Sequence, residues 1–186
     1  MAASYHTIII KSFFDEYSRS LKNTHEFLTI LNQALLENGQ NERMVTAIFL
    51  SIDIDNMYAH FVSAGHPKAL IISNKNENIK YIDIIGNILG LNSKVELDQK
   101  KLKIEEGDRI ILYTDGIVNS YYIDGPTGKR FFLGEKGLKN LVDKYKNENL
   151  SSFIDHLWND IMAYCKYKQK DDMLLFGIEI PSNKNK

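Results

Sequence analysis

An α+β fold follows from the order in which hydrophobic periodicity changes along the chain. Two stretches of helical spacing come first, and a series of short β-prone runs separated by turns comes next. Two more helical stretches and one last strand end the chain. Runs of strands flanked by runs of helices place helices on the faces of antiparallel sheets. A length of 186 residues supports one domain with a sizeable core, expected over residues 1–181, with 182–186 as a disordered tail.

Each element has a local reason. Ala2, Tyr5, Ile9, Phe13 and Tyr17 recur at helical spacing. Asn23 with Glu26 makes a capping box for a second helix carrying Phe27, Ile30, Leu31, Ala34 and Leu35, which Asn38-Gly39 ends. Met44 to Ile54 and Met57 to Ser63 read as a hairpin turned at Asp55-Asn56. Ala64-Gly65-His66-Pro67 is a turn before Ala69 to Ser73, and Asn74 to Asn78 is a loop before Ile79 to Ile84. Gly86 to Leu91 reads as irregular, and Val95 to Ile104 as a strand or two. The turn at Glu106-Gly107 feeds an interior strand, Ile110 to Tyr113. Asn119 to Lys129 reads as a loop rich in Gly, Asp and Pro. Leu138, Leu141, Val142 and Tyr145 mark a helix over Gly134 to Tyr145. Ser151 or Ser152 caps another, bearing Phe153, Ile154, Leu157, Trp158, Ile161, Met162 and Cys165. Met173 to Ile180 is the final strand.

Composition narrows the function. An apolar fraction of 44% and a charged fraction of 25% are those of an ordinary soluble globular protein. The net charge of −1, with Lys and Arg scattered, favours neither nucleic acid nor an anionic membrane. The basic run Lys166 to Lys170 decorates a helix C-terminus. One cysteine, Cys165, excludes an internal disulfide and points to a reducing, cytoplasmic setting, with the thiol buried and inert. No apolar run approaches the roughly 20 residues of a membrane span.

Chemistry concentrates at two strand ends. Asp115 follows the strand Ile110 to Tyr113, and Asp171 precedes the last strand. Asp115-Gly116 reads either as a plain turn or as a carboxylate on a sheet rim, with Gly116 leaving room for a ligand. If the two strands are antiparallel neighbours, both carboxylates reach the same rim. Clustered carboxylates call for a hard cation, Mg²⁺ or Mn²⁺. Two such ions can activate a water for displacement at phosphorus. His66 could hold a phosphate or serve as a turn residue between Gly65 and Pro67. The other histidines lack the spacing of a zinc site.

Tyr113-Thr114-Asp115-Gly116-Ile117, together with Lys170-Asp171-Asp172-Met173, resembles the metal-dependent protein phosphatase family (PPM). The chain is most similar to the bacterial branch typified by the stage II sporulation phosphatase E and the stress-response sigma-factor regulator phosphatases. Ser63-Ala64-Gly65-His66-Pro67, Leu89-Gly90-Leu91, Glu106-Gly107-Asp108 and Phe132 to Leu138 carry the resemblance in order across the chain. It implies a β-sandwich with helix pairs on its outer faces. It also implies hydrolysis of phosphoserine or phosphothreonine in a phosphoprotein, an anti-sigma-factor antagonist of a partner-switching pathway. Asp115 and Asp171 take the places of metal ligands for Mn²⁺ or Mg²⁺, Asp172 takes a supporting place, and Asn119 stands where relatives usually carry Glu.

The resemblance also carries a departure. Relatives have strands and a Gly-Asp motif ahead of the first long helix, supplying a further aspartate and a carbonyl that bridges both metals. This sequence opens at Met1-Ala2-Ala3, about where that motif hands over to the helix, and holds no Asp before Asp15. The expectation is either a fragment of a longer phosphatase or a shortened relative, weakly active or inactive alone. The competing expectation is a non-catalytic interaction module of the same fold. An unpaired sheet edge, with self-association through it, is expected in either case.

Overall fold

A computed structural model of the chain describes residues 10–15, 24–37 and 44–182. The described residues are α+β, as the periodicity predicts, and fall into two compact units. Residues 10–15 are helical. The remainder of the expected first helix, the Asn23 cap, the Asn38-Gly39 stop and residues 183–186 lie outside the described residues.

The first unit takes the chain as far as His66 together with Ile84–Lys103. Its antiparallel sheet has the order β1 (Ala47–Asp53), β2 (Tyr58–Ala64), β5 (Asp98–Lys103). β1 and β2 form the expected hairpin, with Ala47 opposite Ala64 and Asp53 opposite Tyr58. The turn is held by Asp53, whose Oδ1 accepts from the Asn56 amide at 3.0 Å. Helix α1 (Thr24–Glu37) lays Phe27, Leu28, Leu31 and Leu35 against Val62, Ala64, Leu89 and Leu97. Asn32 is buried in this seam with both polar atoms bonded: Nδ2 donates to the Asn92 carbonyl and Oδ1 accepts from the Gly90 amide, each at 2.9 Å. The stretch from Val95 to Ile104 contains one strand, β5, rather than two, and Lys100, Lys101 and Lys103 stud this sheet-edge strand.

The second unit takes Pro67–Asp83 and the chain from Ile104 onward. Its four-stranded antiparallel sheet has the order β4 (Ile79–Ile82), β3 (Ala69–Ile72), β6 (Arg109–Tyr113), β9 (Leu175–Glu179). β6 is an interior strand, with Ile110 and Ile111 both fully buried. Asp108 fixes the turn ahead of it, one carboxylate oxygen accepting from the Asn74 amide at 2.9 Å and the other from Glu105 at 2.8 Å. At the same end, Arg109 pairs with Glu179 at 2.6 Å across the β6–β9 register. Helices α3 (Gly134–Tyr145) and α4 (Leu150–Tyr164) pack Leu138, Val142, Phe153, Leu157 and Ile161 onto Leu70, Ile72, Ile111 and Tyr113. The approach of α4 to the sheet is close, since a Cβ on Gly177 would lie 2.9 Å from Ile154 Cδ1.

Three sequence expectations need correction in this unit. The cap of α4 is Asn149, not Ser151 or Ser152: its side chain accepts from the Ser152 amide at 3.0 Å. The last strand begins at Leu175 rather than Met173. The stretch read as a loop from Asn119 to Lys129 contains a strand, β7 (Tyr121–Ile123), which pairs with β8 (Arg130–Phe132) in a small hairpin. Its turn closes on Asp124, whose amide donates to the Lys129 carbonyl at 2.9 Å and whose carbonyl accepts from Gly128 at 2.8 Å. Cys165 is buried, as expected, and donates to the Met162 carbonyl.

Candidate metal centre

The strands that precede and follow the two candidate aspartates are antiparallel neighbours. β6 pairs with β9 from Arg109 opposite Glu179 to Tyr113 opposite Leu175. The C-terminal end of β6 and the N-terminal end of β9 therefore meet at one rim of the sheet, where Asp115 and the Asp171-Asp172 segment both emerge.

Thr114 fastens these two segments together. Its amide donates to the Leu174 carbonyl at 3.1 Å, continuing the ladder one residue beyond the strands. Its hydroxyl donates to the Asp172 carbonyl at 2.9 Å and accepts from the Leu174 amide at 2.8 Å. These bonds explain why β9 starts late. Residues 172–174 are held by a side chain of the neighbouring segment as well as by the backbone ladder.

Asp115 opens a four-residue helical turn, α2 (Asp115–Val118), after an extended Thr114 at φ −80° and ψ 157°. The Asn119 amide closes that turn on the Asp115 carbonyl at 2.8 Å, and Asn119 Nδ2 reaches Asp115 Oδ2 at 3.4 Å. Gly116 has a different neighbour from the one its motif suggested. A Cβ there would lie 2.4 Å from the Asp172 carbonyl oxygen, so glycine admits the facing backbone rather than a ligand.

On the facing segment, Asp171 Oδ1 accepts from the Asp172 amide at 2.8 Å, and Gln169 Nε2 donates to the Asp171 carbonyl at 2.8 Å. Asp115, Asn119, Asp171 and Asp172 are all exposed. In both candidate ligands, one carboxylate oxygen accepts from a local donor.

The donor set suits a hard divalent cation. Mg²⁺ in particular is commonly held by one or two carboxylates and keeps several waters. Among the described residues, no three of His, Cys, Asp and Glu gather closely enough to hold a metal, so Asp115 and Asp171 are not joined by a third such ligand. His66 is half-buried in the turn after β2, beside Gly65 at φ +67°. The signal that the sequence did not yield was Thr114. Asn119, which stands where relatives usually carry Glu, is the residue whose side chain reaches Asp115.

None of the helices among the described residues is long and apolar enough to cross a membrane. Comparison with known proteins places the chain. It is 20% identical over 167 residues to the phosphoserine phosphatase RsbU of Bacillus subtilis, covering 90% of this chain and 48% of RsbU. It thus spans about half the length of that relative. The SiaA-PP2C domain of Pseudomonas aeruginosa has the same fold, with a TM-score of 0.80 at 14% identity, covering 94% of this chain and 69% of that one. The Mn-presoaked phosphatase domain of SpoIIE from Bacillus subtilis superposes with a TM-score of 0.61 at 13% identity, covering 97% and 76%. The family model of stage II sporulation protein E (SpoIIE) matches residues 1–181, and the chain belongs to that family.

Proposed function

We propose that this chain is the phosphatase portion of a protein that removes phosphate from phosphoserine or phosphothreonine in a phosphoprotein. The proposed substrate class is an anti-sigma-factor antagonist of a partner-switching pathway. The observation that carries this reading is the Thr114 clamp, which holds the Asp115 turn against the Asp171-Asp172 segment in a SpoIIE-family chain. The name of RsbU as a phosphoserine phosphatase and the Mn-presoaked SpoIIE domain support it.

Asp115 and Asp171 would hold Mn²⁺ or Mg²⁺. When bound, the cation supplies a water acidic enough to attack phosphorus at neutral pH. The chain's own residues prepare that place. Asn119 holds one Asp115 oxygen, and the Asp172 amide holds one Asp171 oxygen. Thr114 keeps the two segments in register. Asp172 lends its carbonyl and amide to this frame.

Two carboxylates hold a metal pair poorly, so turnover by this chain alone is expected to be slow. The test is phosphate release from a phosphoserine peptide with and without Mn²⁺. Slow, Mn²⁺-dependent release that disappears in both Asp115→Asn and Asp171→Asn supports the reading. Release that persists in both variants contradicts it. Mn²⁺ binding without any turnover favours the second reading, a non-catalytic interaction module that keeps the metal-binding rim.

A further inference from the structure

The β7–β8 hairpin has one face seated and one face open. Strand alternation and the register place Tyr122 and Phe131 on one side, and Tyr121, Ile123, Arg130 and Phe132 on the other. The first side is anchored to the end of α4. Tyr164 packs edge-on to Tyr122 with ring centres 5.4 Å apart, and its hydroxyl donates to the Phe131 carbonyl at 3.2 Å. The second side is apolar and solvent-facing, with Phe132 54% and Ile123 47% exposed.

Unmatched positive charge surrounds these rings. Arg130 lies over Tyr121 at 5.0 Å, Lys129 over Phe131 at 5.4 Å, and Lys166 over Tyr122 at 5.5 Å. Some cations elsewhere in this unit do face carboxylates: Arg109 with Glu179, Lys144 with Asp160, Lys146 with Asp143 and Glu77. Among the described residues, none of these three cations pairs with a carboxylate, and Lys166, just past α4, donates to the Ile123 carbonyl at 3.4 Å. The hairpin's own acid, Asp124, is engaged by the Thr127 amide and hydroxyl within the turn.

The hairpin is also fixed to the candidate metal centre. The Asn119 amide bonds to Asp115, the Ser120 amide to Ile117 at 3.2 Å, and the Leu133 amide to Ser120 at 2.8 Å. No flexible segment separates Asp115 from the root of β7. The hairpin projects only about 10 Å for strands of three residues.

We infer that the open face of the β7–β8 hairpin is a docking surface for an acidic, apolar segment of the phosphoprotein, adjacent in chain to its phosphorylated residue. Phe132, Tyr121 and Ile123 take the apolar side chains, while Arg130 and Lys129 take the carboxylates. The identity of the ligand as a substrate rests on the phosphatase reading; the surface does not. Basic residues among aromatics also suit single-stranded nucleic acid. The chain's net charge of −1 gives no broad positive field for a polyanion, so a short acidic peptide is the better match.

The probe is a labelled, unphosphorylated peptide of alternating aliphatic and glutamate residues, followed by fluorescence anisotropy on the full chain without metal. Saturable binding is expected, about tenfold weaker when lysines replace the glutamates. Arg130→Glu and Phe132→Ser should each weaken the glutamate peptide about tenfold, with Asp115→Ala binding as the unaltered chain does. Both substituted hairpin side chains are exposed, and the lysine peptide tests the charge claim without any substitution. Equal binding of the two peptides, or unweakened binding by Arg130→Glu, overturns the docking surface. So does displacement of the peptide by an oligonucleotide held more tightly, or an effect of Phe132→Ser confined to self-association in light scattering. If hydrolysis fails while the peptides are still discriminated, the phosphatase reading falls and the docking surface stands.

Discussion

One threonine hydroxyl ties together the two segments that bear the candidate ligands. Thr114 gives its proton to the Asp172 carbonyl and takes one from the Leu174 amide, both in the stretch that leads into β9. Thr114→Val keeps the β-branched shape and removes both of these hydrogen bonds. We predict a loss of about 1–3 kcal/mol in stability. Mn²⁺ affinity should fall about tenfold because the Asp171 segment is no longer held in place. A denaturant titration and a Mn²⁺ titration check the two parts separately, and unchanged Mn²⁺ affinity would contradict the clamp. Asp115 and Asp171 stand out as candidates in the sequence because each is a carboxylate at a boundary of a strongly apolar strand. Thr114 does not, since a threonine at the end of a β-prone run reads as one more strand former. Gly116 was recognised as a place of close approach, but the approaching group is the facing backbone, which no local pattern encodes.

Strands β4 and β6 each contribute a tyrosine whose ionisation opposes the folded state. Burial first, and the Glu135 carboxylate second, push Tyr81 up to about 12 from an ordinary value of 10.0. Burial, then Tyr81 and Glu135, push Tyr113 up as well. The folded protein thus holds these phenolic protons more tightly than the unfolded chain does. The contribution of these tyrosines to stability is fully present below pH about 10 and is lost as the pH rises from there toward about 12, since the unfolded chain ionises first. Thermal midpoints across that range should fall in the native sequence and fall less steeply in Tyr113→Phe. An equal slope in both would contradict the assignment. The longer elements were legible because several helical turns or a long β-prone run repeat the same signal. The β7–β8 hairpin was missed because three residues per strand give no period to read, and the Asp124 turn between them looks like loop composition. The cap of α4 was ambiguous for a similar reason. Asn149, Ser151 and Ser152 are all competent caps, and only the geometry shows which side chain reaches an amide.

For the whole molecule, the order of short motifs proved more informative than any one of them. Each short motif is weak alone, yet the SpoIIE family model matches residues 1–181, the span within which they all fall. The α+β class was legible in the same way, from the change of period along the chain. What the order of motifs could not supply is the surroundings of the ligands, because those depend on bonds between residues far apart in sequence. The pairing of β6 with β9 brings residues 109 and 179 together and carries the rim with it.

The proposed divalent-cation site at this rim rests on Asp115 and Asp171. Isothermal titration calorimetry with Mn²⁺ tests it most directly on the unaltered chain, Asp115→Ala and Asp171→Ala. Measurable binding to the unaltered chain is expected, weakened about 100-fold or more by either substitution, equivalent to about 2.7 kcal/mol. Binding of undiminished affinity in both variants would contradict it.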